Sequence, residues 1–227
     1  MKKMIILIAI VFIAVGSIFF LKQFQGQLTS LKPNIILISL DTMRKDRLSC
    51  YGYPNHKTLN IDTLASQSCL FTNAITQYPA TRQSHMTLMT SLYPSVHGLT
   101  QKRGNWEDNR MNPSLKPLAE LLKNIGYYTI GITEGCFVAG SLGFSKGFDE
   151  YYDQRLNVAK IFQQATDWLE KNRQRRFFMF LHTYETHVPY DPPEEFLPLE
   201  PSEYSWEHKM VGSWEYGDRK KKKELNK

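Results

Sequence analysis

The chain predicts an α/β domain, a mostly parallel sheet flanked by helices on both faces, and three observations carry that expectation. Three short apolar runs, Asn34 to Leu40, Tyr127 to Ile132 and Phe177 to Leu181, have the length and composition of strands buried on both faces. Helical patterns separate them, the longest from Asn157 to Asn172 with Ile161, Phe162, Ala165, Trp168 and Leu169 as its apolar stripe. Strands and helices in alternation are joined by right-handed crossovers into a parallel sheet, and such a sheet gathers ligands outside the carboxyl ends of its strands.

The elements follow in order. Lys2 and Lys3 precede a nearly unbroken apolar segment, Met4 to Leu21, so residues 1–22 read as an N-terminal transmembrane anchor or a signal peptide. Ala14 and Gly16 make a poor cleavage site and the apolar run continues beyond them, which favours the uncleaved anchor. Either reading puts the folded part outside the cytoplasm. Residues 23–32 are a polar linker, residues 33–193 the α/β domain, and residues 194–227 an irregular basic tail. Within the domain Pro33 opens the first strand. Asn60 is placed to cap a helix over Ile61 to Gln67, with Ile61, Leu64 and Ala65 on one face, and Ser114 to cap another over Leu115 to Asn124, ended by Gly126. A glycine-rich loop from Gly135 to Gly147 follows the second strand.

Composition excludes several classes. In 227 residues, 42% apolar and 13% aromatic content is enough for a real core, so disorder is not expected. Much of the formal charge of +6 sits at the end, in Arg219, Lys220, Lys221, Lys222, Lys223 and Lys227, where a lysine run is a solvated tail. No nucleic-acid motif is present, so no nucleic-acid partner is expected. Cys50, Cys69 and Cys136 are an odd number without metal-ligand spacing and are expected to be small buried apolar side chains.

Two pieces point to chemistry. Asp41 stands directly after the first apolar run, where a carboxylate can meet a ligand or simply make a strand-end turn. Thr81 stands just ahead of a helix expected from Gln83 onward, with Met86, Met89 and Thr90 on its buried face. Spacing alone favours an ordinary N-cap for Thr81; the other reading is an alcohol activated beside a metal, at a helix end that favours anions. Arg44 and Asp46 form either a surface pair or an oxyanion contact. His182 and His187 flank Glu185 in a strand-exit loop before Pro189-Tyr190-Asp191-Pro192-Pro193, a rigid turn that would hold them in place.

The run from Pro33 to Tyr53, with Asp41-Thr42-Met43-Arg44 at its centre, resembles the opening of the sulfatase family of the alkaline phosphatase superfamily. Asn60 to Ala65, Ser91 to Gly98, Gly143-Phe144 with Gly147-Phe148-Asp149, and His182 to Pro193 are similar to its later segments. The resemblance implies an alkaline-phosphatase/sulfatase-like fold, incomplete at the C-terminus, because nothing after Pro193 matches the family's remaining metal ligands. It makes Asp41 a metal ligand, Thr81 the occupant of the nucleophile position and His187 a contact to the anionic group; together with the residue reading, the expected metal contacts are Asp41 and Thr81, the catalytic group Thr81, His187 and Arg44, and the substrate contacts His85, His182 and Glu185. It implies a divalent metal ion, calcium first, with Mg, Mn or Zn as alternatives.

This chain departs from the family at several positions. Thr42 stands where a second Asp is usual, and the family's Lys-Trp-His element is absent around Thr133-Glu134-Gly135. Thr81-Arg82-Gln83-Ser84-His85 replaces the pattern whose Cys or Ser becomes formylglycine, so no formylglycine is expected. The implied function is a metal-dependent hydrolase or transferase acting on an anionic ester, sulfate or phosphate, outside the cytoplasm and held to the membrane by its N-terminal segment. The alternative is a catalytically inactive truncated remnant, a membrane-anchored domain binding at most an anion or a partner.

Overall fold

The computed structural model describes residues 33–99 and 110–188. Four strands, β1 (Ile35–Leu40), β2 (Tyr128–Thr133), β3 (Glu150–Tyr152) and β4 (Phe177–Thr183), form one sheet in the order β1-β4-β2-β3, every pair parallel. The helices are α1 (Leu59–Ser66), α2 (Thr81–Thr90), α3 (Pro94–His97), α4 (Leu118–Asn124) and α5 (Val158–Lys171). The expected anchor, linker and basic tail, and the proline-rich turn from Pro189, lie outside the described residues. Among those described, no helix is long and apolar enough to cross a membrane.

The alternation of side chains along β4 divides the core. Phe177, Met179 and Leu181 face a cluster built with Ile130, Ile132 and, from α5, Ile161, Ala165 and Trp168. Phe178 and Phe180 face the other way, onto Met86 and Met89 of α2 and Ala119 of α4. His182 continues the second set by the same period of two, which directs its ring beneath α2. All seven residues of β4 are buried, as suits a central strand with a neighbour on each side. On β1 the alternation leaves Ile36 and Ile38 47% and 49% exposed, because α5 covers β2 and β4 and does not extend over this edge.

Several local expectations change. β3 was not expected, and three residues are too few for a periodicity to register. The helix expected from Leu115 starts at Leu118, with Pro117 as its extended N-cap, since a proline ring drives the residue before it out of the helical region. Ser114 instead donates its hydroxyl to Asn112 Oδ1 at 2.9 Å. Asn60 lies inside α1, whose N-cap position is Thr58, and Leu64 is 66% exposed rather than on a buried face. Asn157 does cap α5, its Oδ1 accepting the Lys160 N–H at 3.0 Å. Of the cysteines, Cys50 is half-buried while Cys69 and Cys136 are exposed, and none is paired, so the expected burial of all three does not hold.

One glycine is dictated by geometry. Gly147 has φ +86°, and a Cβ there would stand 2.2 Å from the Glu120 backbone nitrogen, so the glycine-rich loop closes against α4 only without a side chain.

Candidate functional site

The carboxyl rim of the sheet is assembled from three segments, and the register explains which residues meet. Ser39 of β1 and Thr133 of β2 both pair with His182 of β4, so these three polar residues form one row across the strand ends. Asp41 extends the ladder by one residue, its N–H donating to the Thr183 carbonyl at 3.0 Å. The chain then turns sharply at Thr42, whose φ of 61° is unusual for a β-branched residue. Two reciprocal bonds hold that turn: Thr42 Oγ1 donates to the Thr186 carbonyl at 2.8 Å, and Thr186 Oγ1 donates to the Asp41 carbonyl at 2.6 Å. The strand-end backbone that carries Asp41 is therefore fixed by the loop after β4.

Helix α2 begins directly above this rim. Ala80 is its extended N-cap, with φ −145° and ψ 141°, so Thr81 is the first helical residue rather than the cap, and the helix opens two residues before Gln83. The Thr81 hydroxyl donates to the Asp41 carboxylate, 3.1 Å from Oδ2 and 3.4 Å from Oδ1. One turn later on the same helix face stands His85. Its Nδ1 lies 2.7 Å from the Thr81 carbonyl and its Nε2 2.8 Å from Ser39 Oγ. A carbonyl can only accept, so Nδ1 carries the proton and Nε2 the lone pair that meets the Ser39 hydroxyl.

His182 packs edge-on to His85 with ring centroids 4.9 Å apart, and Tyr184 packs edge-on to His182 at 4.5 Å. Burial drives the His85 imidazole below its usual range and pushes His182 down to about 3, the neighbouring His85 adding to the second shift. Both rings are accordingly neutral at neutral pH, the form in which an imidazole offers a lone pair. Burial also pushes the Tyr184 phenol up, so it stays protonated, and its oxygen accepts the Phe137 N–H at 3.2 Å.

The other expected site residues lie farther out. Arg44 is exposed and grips Asp46 through Nε and Nη2 at 2.9 and 2.6 Å. Glu185 is exposed, and its N–H donates to Thr183 Oγ1 at 3.1 Å. His187 reaches the cluster through an edge contact to Tyr184 at 5.8 Å, its Nδ1–H donating to the Val188 carbonyl at 2.7 Å. Asp41, Thr81, His85 and His182 thus come together, His187 stands at one remove, and Arg44 and Glu185 do not join them.

Two positions escaped sequence reasoning, Ser39 and Tyr184, and Glu134 joins them at the rim. Ser39 is the one polar residue in an apolar strand, two before Asp41, and that spacing alone placed it on the same face. Glu134 takes the Thr183 hydroxyl at 2.5 Å and the Tyr184 N–H at 3.0 Å, tying the ends of β2 and β4 together. Tyr184 follows His182 by two and so continues its face.

A divalent metal fits this constellation. One ligand atom each from Asp41, His85 and His182 lie within 4.8 Å of one another, and all three residues are buried. Both ring nitrogens of His182 lack a hydrogen-bond partner among the described residues, an arrangement that asks for a ligand.

Comparison with known proteins gives the same direction. The chain is 26% identical to a sulfatase of Formosa agariphila over 226 residues, covering 80% of this chain and 44% of that protein. It is 31% identical to human iduronate 2-sulfatase over 232 residues, covering 84% and 41%. Among solved structures, the phosphonate monoester hydrolase of Agrobacterium radiobacter superposes with a TM-score of 0.62 at 18% identity, over 72% of this chain and 43% of that one. BT4656, in complex with its substrate D-glucosamine-2-N,6-O-disulfate, superposes at 0.61 and 21% identity, over 71% and 36%. The chain therefore spans less than half the length of these relatives, and the superpositions establish the alkaline-phosphatase/sulfatase fold. The sulfatase family model matches residues 33–209, a stretch that contains every residue of the rim just described, and the chain belongs to the sulfatase family.

Proposed function

We propose that this chain carries the nucleophile half of a metal-dependent hydrolase or transferase for sulfate or phosphate esters, with Thr81 as the attacking group. The observation that carries the reading is the Thr81 hydroxyl donating to the Asp41 carboxylate at 3.1 Å, at the first residue of a ten-residue helix. The carboxylate draws the hydroxyl proton toward itself and aims an oxygen lone pair outward. The first-turn N–H groups of α2 have no carbonyl within their own helix and favour an anion at this end.

In the proposed step Thr81 Oγ bonds to the phosphorus or sulfur of the ester as the bond to the ester oxygen breaks; that oxygen leaves with the bonding pair and takes a proton from water to depart as the alcohol, while the hydroxyl proton of Thr81 passes to Asp41 or to solvent. Water or an acceptor alcohol then displaces the group from Thr81, giving hydrolysis or transfer. A divalent metal held by Asp41 and its neighbours would polarise the ester and lower the pKa of an alcohol. His187 is proposed to contact the anionic group. Arg44, which holds Asp46, is the second contact proposed for that group.

Threonine cannot become formylglycine, which favours phosphate or phosphonate esters over sulfate. The sulfated-sugar complex of one fold relative keeps sulfate esters within the class. The apolar segment from Met4 to Leu21, behind Lys2 and Lys3, supports anchoring with the domain on the outer side of the membrane.

The test is turnover of 4-nitrophenyl phosphate, 4-nitrophenyl phenylphosphonate and 4-nitrophenyl sulfate with Thr81→Ala and Thr81→Ser. The reading expects the phosphorus esters to be cleaved faster, Thr81→Ala to lose about 10^3-fold or more in kcat, and Thr81→Ser to keep part of it. Undiminished turnover in a folded Thr81→Ala variant removes Thr81 from the mechanism.

A further inference from the structure

His182 is 1% exposed at the centre of the sheet, yet neither ring nitrogen has a hydrogen-bond partner among the described residues. Leaving such a buried donor or acceptor unmet costs the full desolvation of the group. An apolar side chain would avoid that cost, and Phe178 and Phe180 occupy the same face of the same strand. The ring of His85, 4.9 Å away, is oriented as metal-binding imidazoles are: its Nδ1–H is fixed on the Thr81 carbonyl at 2.7 Å, and its Nε2 lone pair, which takes the Ser39 hydroxyl at 2.8 Å, meets a metal once that hydroxyl rotates away. Among the described residues Asp41, 7% exposed, supplies the single carboxylate, and Thr42 beside it spends its hydroxyl on the Thr186 carbonyl.

We propose that Asp41, His85 and His182 form a nitrogen-rich centre that takes a zinc-class transition-metal dication and discriminates against calcium. This deepens the functional reading above and rests on its metal. Calcium takes six to eight oxygen ligands, whereas two imidazoles and one carboxylate suit the later first-row dications. Three protein ligands with a position left open is the count found at catalytic rather than structural zinc centres. The ligand atoms lie within 4.8 Å of one another. A tetrahedral zinc site, with bonds of about 2.0–2.1 Å, draws its ligands to roughly 3.4 Å apart, so small side-chain rotations close the set. On this account the calcium suggested by family resemblance gives way, because the oxygen donors calcium needs are replaced here by imidazole nitrogen.

The test uses the full untagged chain with Cys50→Ser, Cys69→Ser and Cys136→Ser, since the exposed thiols of Cys69 and Cys136 would otherwise compete for the metal. After chelator treatment Co2+ is titrated as a coloured probe, followed by displacement with Zn2+ and, separately, with Ca2+. The expected result is one Co2+ per chain with visible d–d bands, displaced by equimolar Zn2+ and retained against a roughly 100-fold excess of Ca2+. His182→Phe keeps a flat ring among phenylalanines and should fold. It should weaken Co2+ binding by more than the roughly 100-fold typical of losing an outer-shell partner, as should His85→Gln. No Co2+ binding, displacement by Ca2+, or unchanged affinity in folded His182→Phe overturns the proposal. A chain that binds Co2+ as described but cleaves no ester leaves the centre standing and counts against the functional reading. Ester cleavage supported by Ca2+ and not by Zn2+ does the reverse.

Discussion

The two rims of the sheet differ in how deeply their polar groups are buried and how fully they are satisfied. At the amino rim the polar groups pair with one another: Lys123 with Asp149 at 2.6 Å, the Tyr128 hydroxyl with Glu150 at 2.5 Å, and the Phe177 N–H with Asn34 Oδ1 at 3.1 Å. The exposed Arg175 lies over the Tyr128 ring at 4.4 Å and the half-buried Arg176 over Tyr127 at 5.8 Å. At the carboxyl rim Asp41, His85 and His182 are buried, and both His182 nitrogens lack a partner among the described residues. A rim whose groups satisfy each other contributes to the fold alone, whereas a rim that keeps buried polar atoms unmet retains capacity for a ligand. The difference supports the proposed chemistry at the carboxyl side on energetic grounds.

The largest effect is expected at the floor shared by both rims. Phe178 is fully buried and stacks on Phe148 at 5.9 Å, so Phe178→Ala is expected to destabilise the domain by about 3–5 kcal/mol, read by urea unfolding. A loss below 1 kcal/mol would mean that the sheet is not packed as described.

A smaller effect separates the rims by pH. Burial takes His182 from an ordinary 6.5 to about 3, so within that window the unfolded chain binds a proton that the folded chain refuses. Stability of the metal-free protein should therefore be complete above the unfolded value and fall as pH drops. The slope is roughly 1.4 kcal/mol per pH unit from this group, with His85 acting in the same direction. His182→Phe should remove that share of the slope; an unchanged acid profile in the variant would show that the ring is not held neutral.

The smallest effect belongs to the amino rim. Lys123 and Asp149 are 46% and 23% exposed, so Lys123→Ala should cost less than about 1 kcal/mol and leave ester turnover as it was. A clear drop in turnover would extend the functional surface to the wrong side of the sheet.

What could be read from the amino acids depended on how far each signal reached along the chain. β1 and β4 are long apolar runs, and the amphipathic stripe and Asn157 cap marked α5 within a residue at each end. The parallel order and the meeting of Asp41 with Thr81 followed from that alternation, since strand ends gather at one rim. His182 was harder: a polar residue after Phe177 to Leu181 looks like a loop, and only the register with Ser39 and Thr133 reveals it as a buried strand residue. Arg44 and Glu185 failed to join the cluster for a related reason, because spacing in a loop says nothing about side-chain direction. The Ser114 cap lost to Pro117, a local steric rule that outweighed a local hydrogen bond.

The central claim is that the Asp41 and Thr81 pair performs the displacement, and the most direct measurement is the covalent state of Thr81 during turnover. The chain, supplied with metal and an activated phosphate ester, is quenched in acid and its peptides are mapped by mass spectrometry. The account predicts a phosphoryl group on Thr81 that is absent from Thr81→Ala and diminished in Asp41→Asn. Turnover with Thr81 unmodified and the label on another side chain would contradict it.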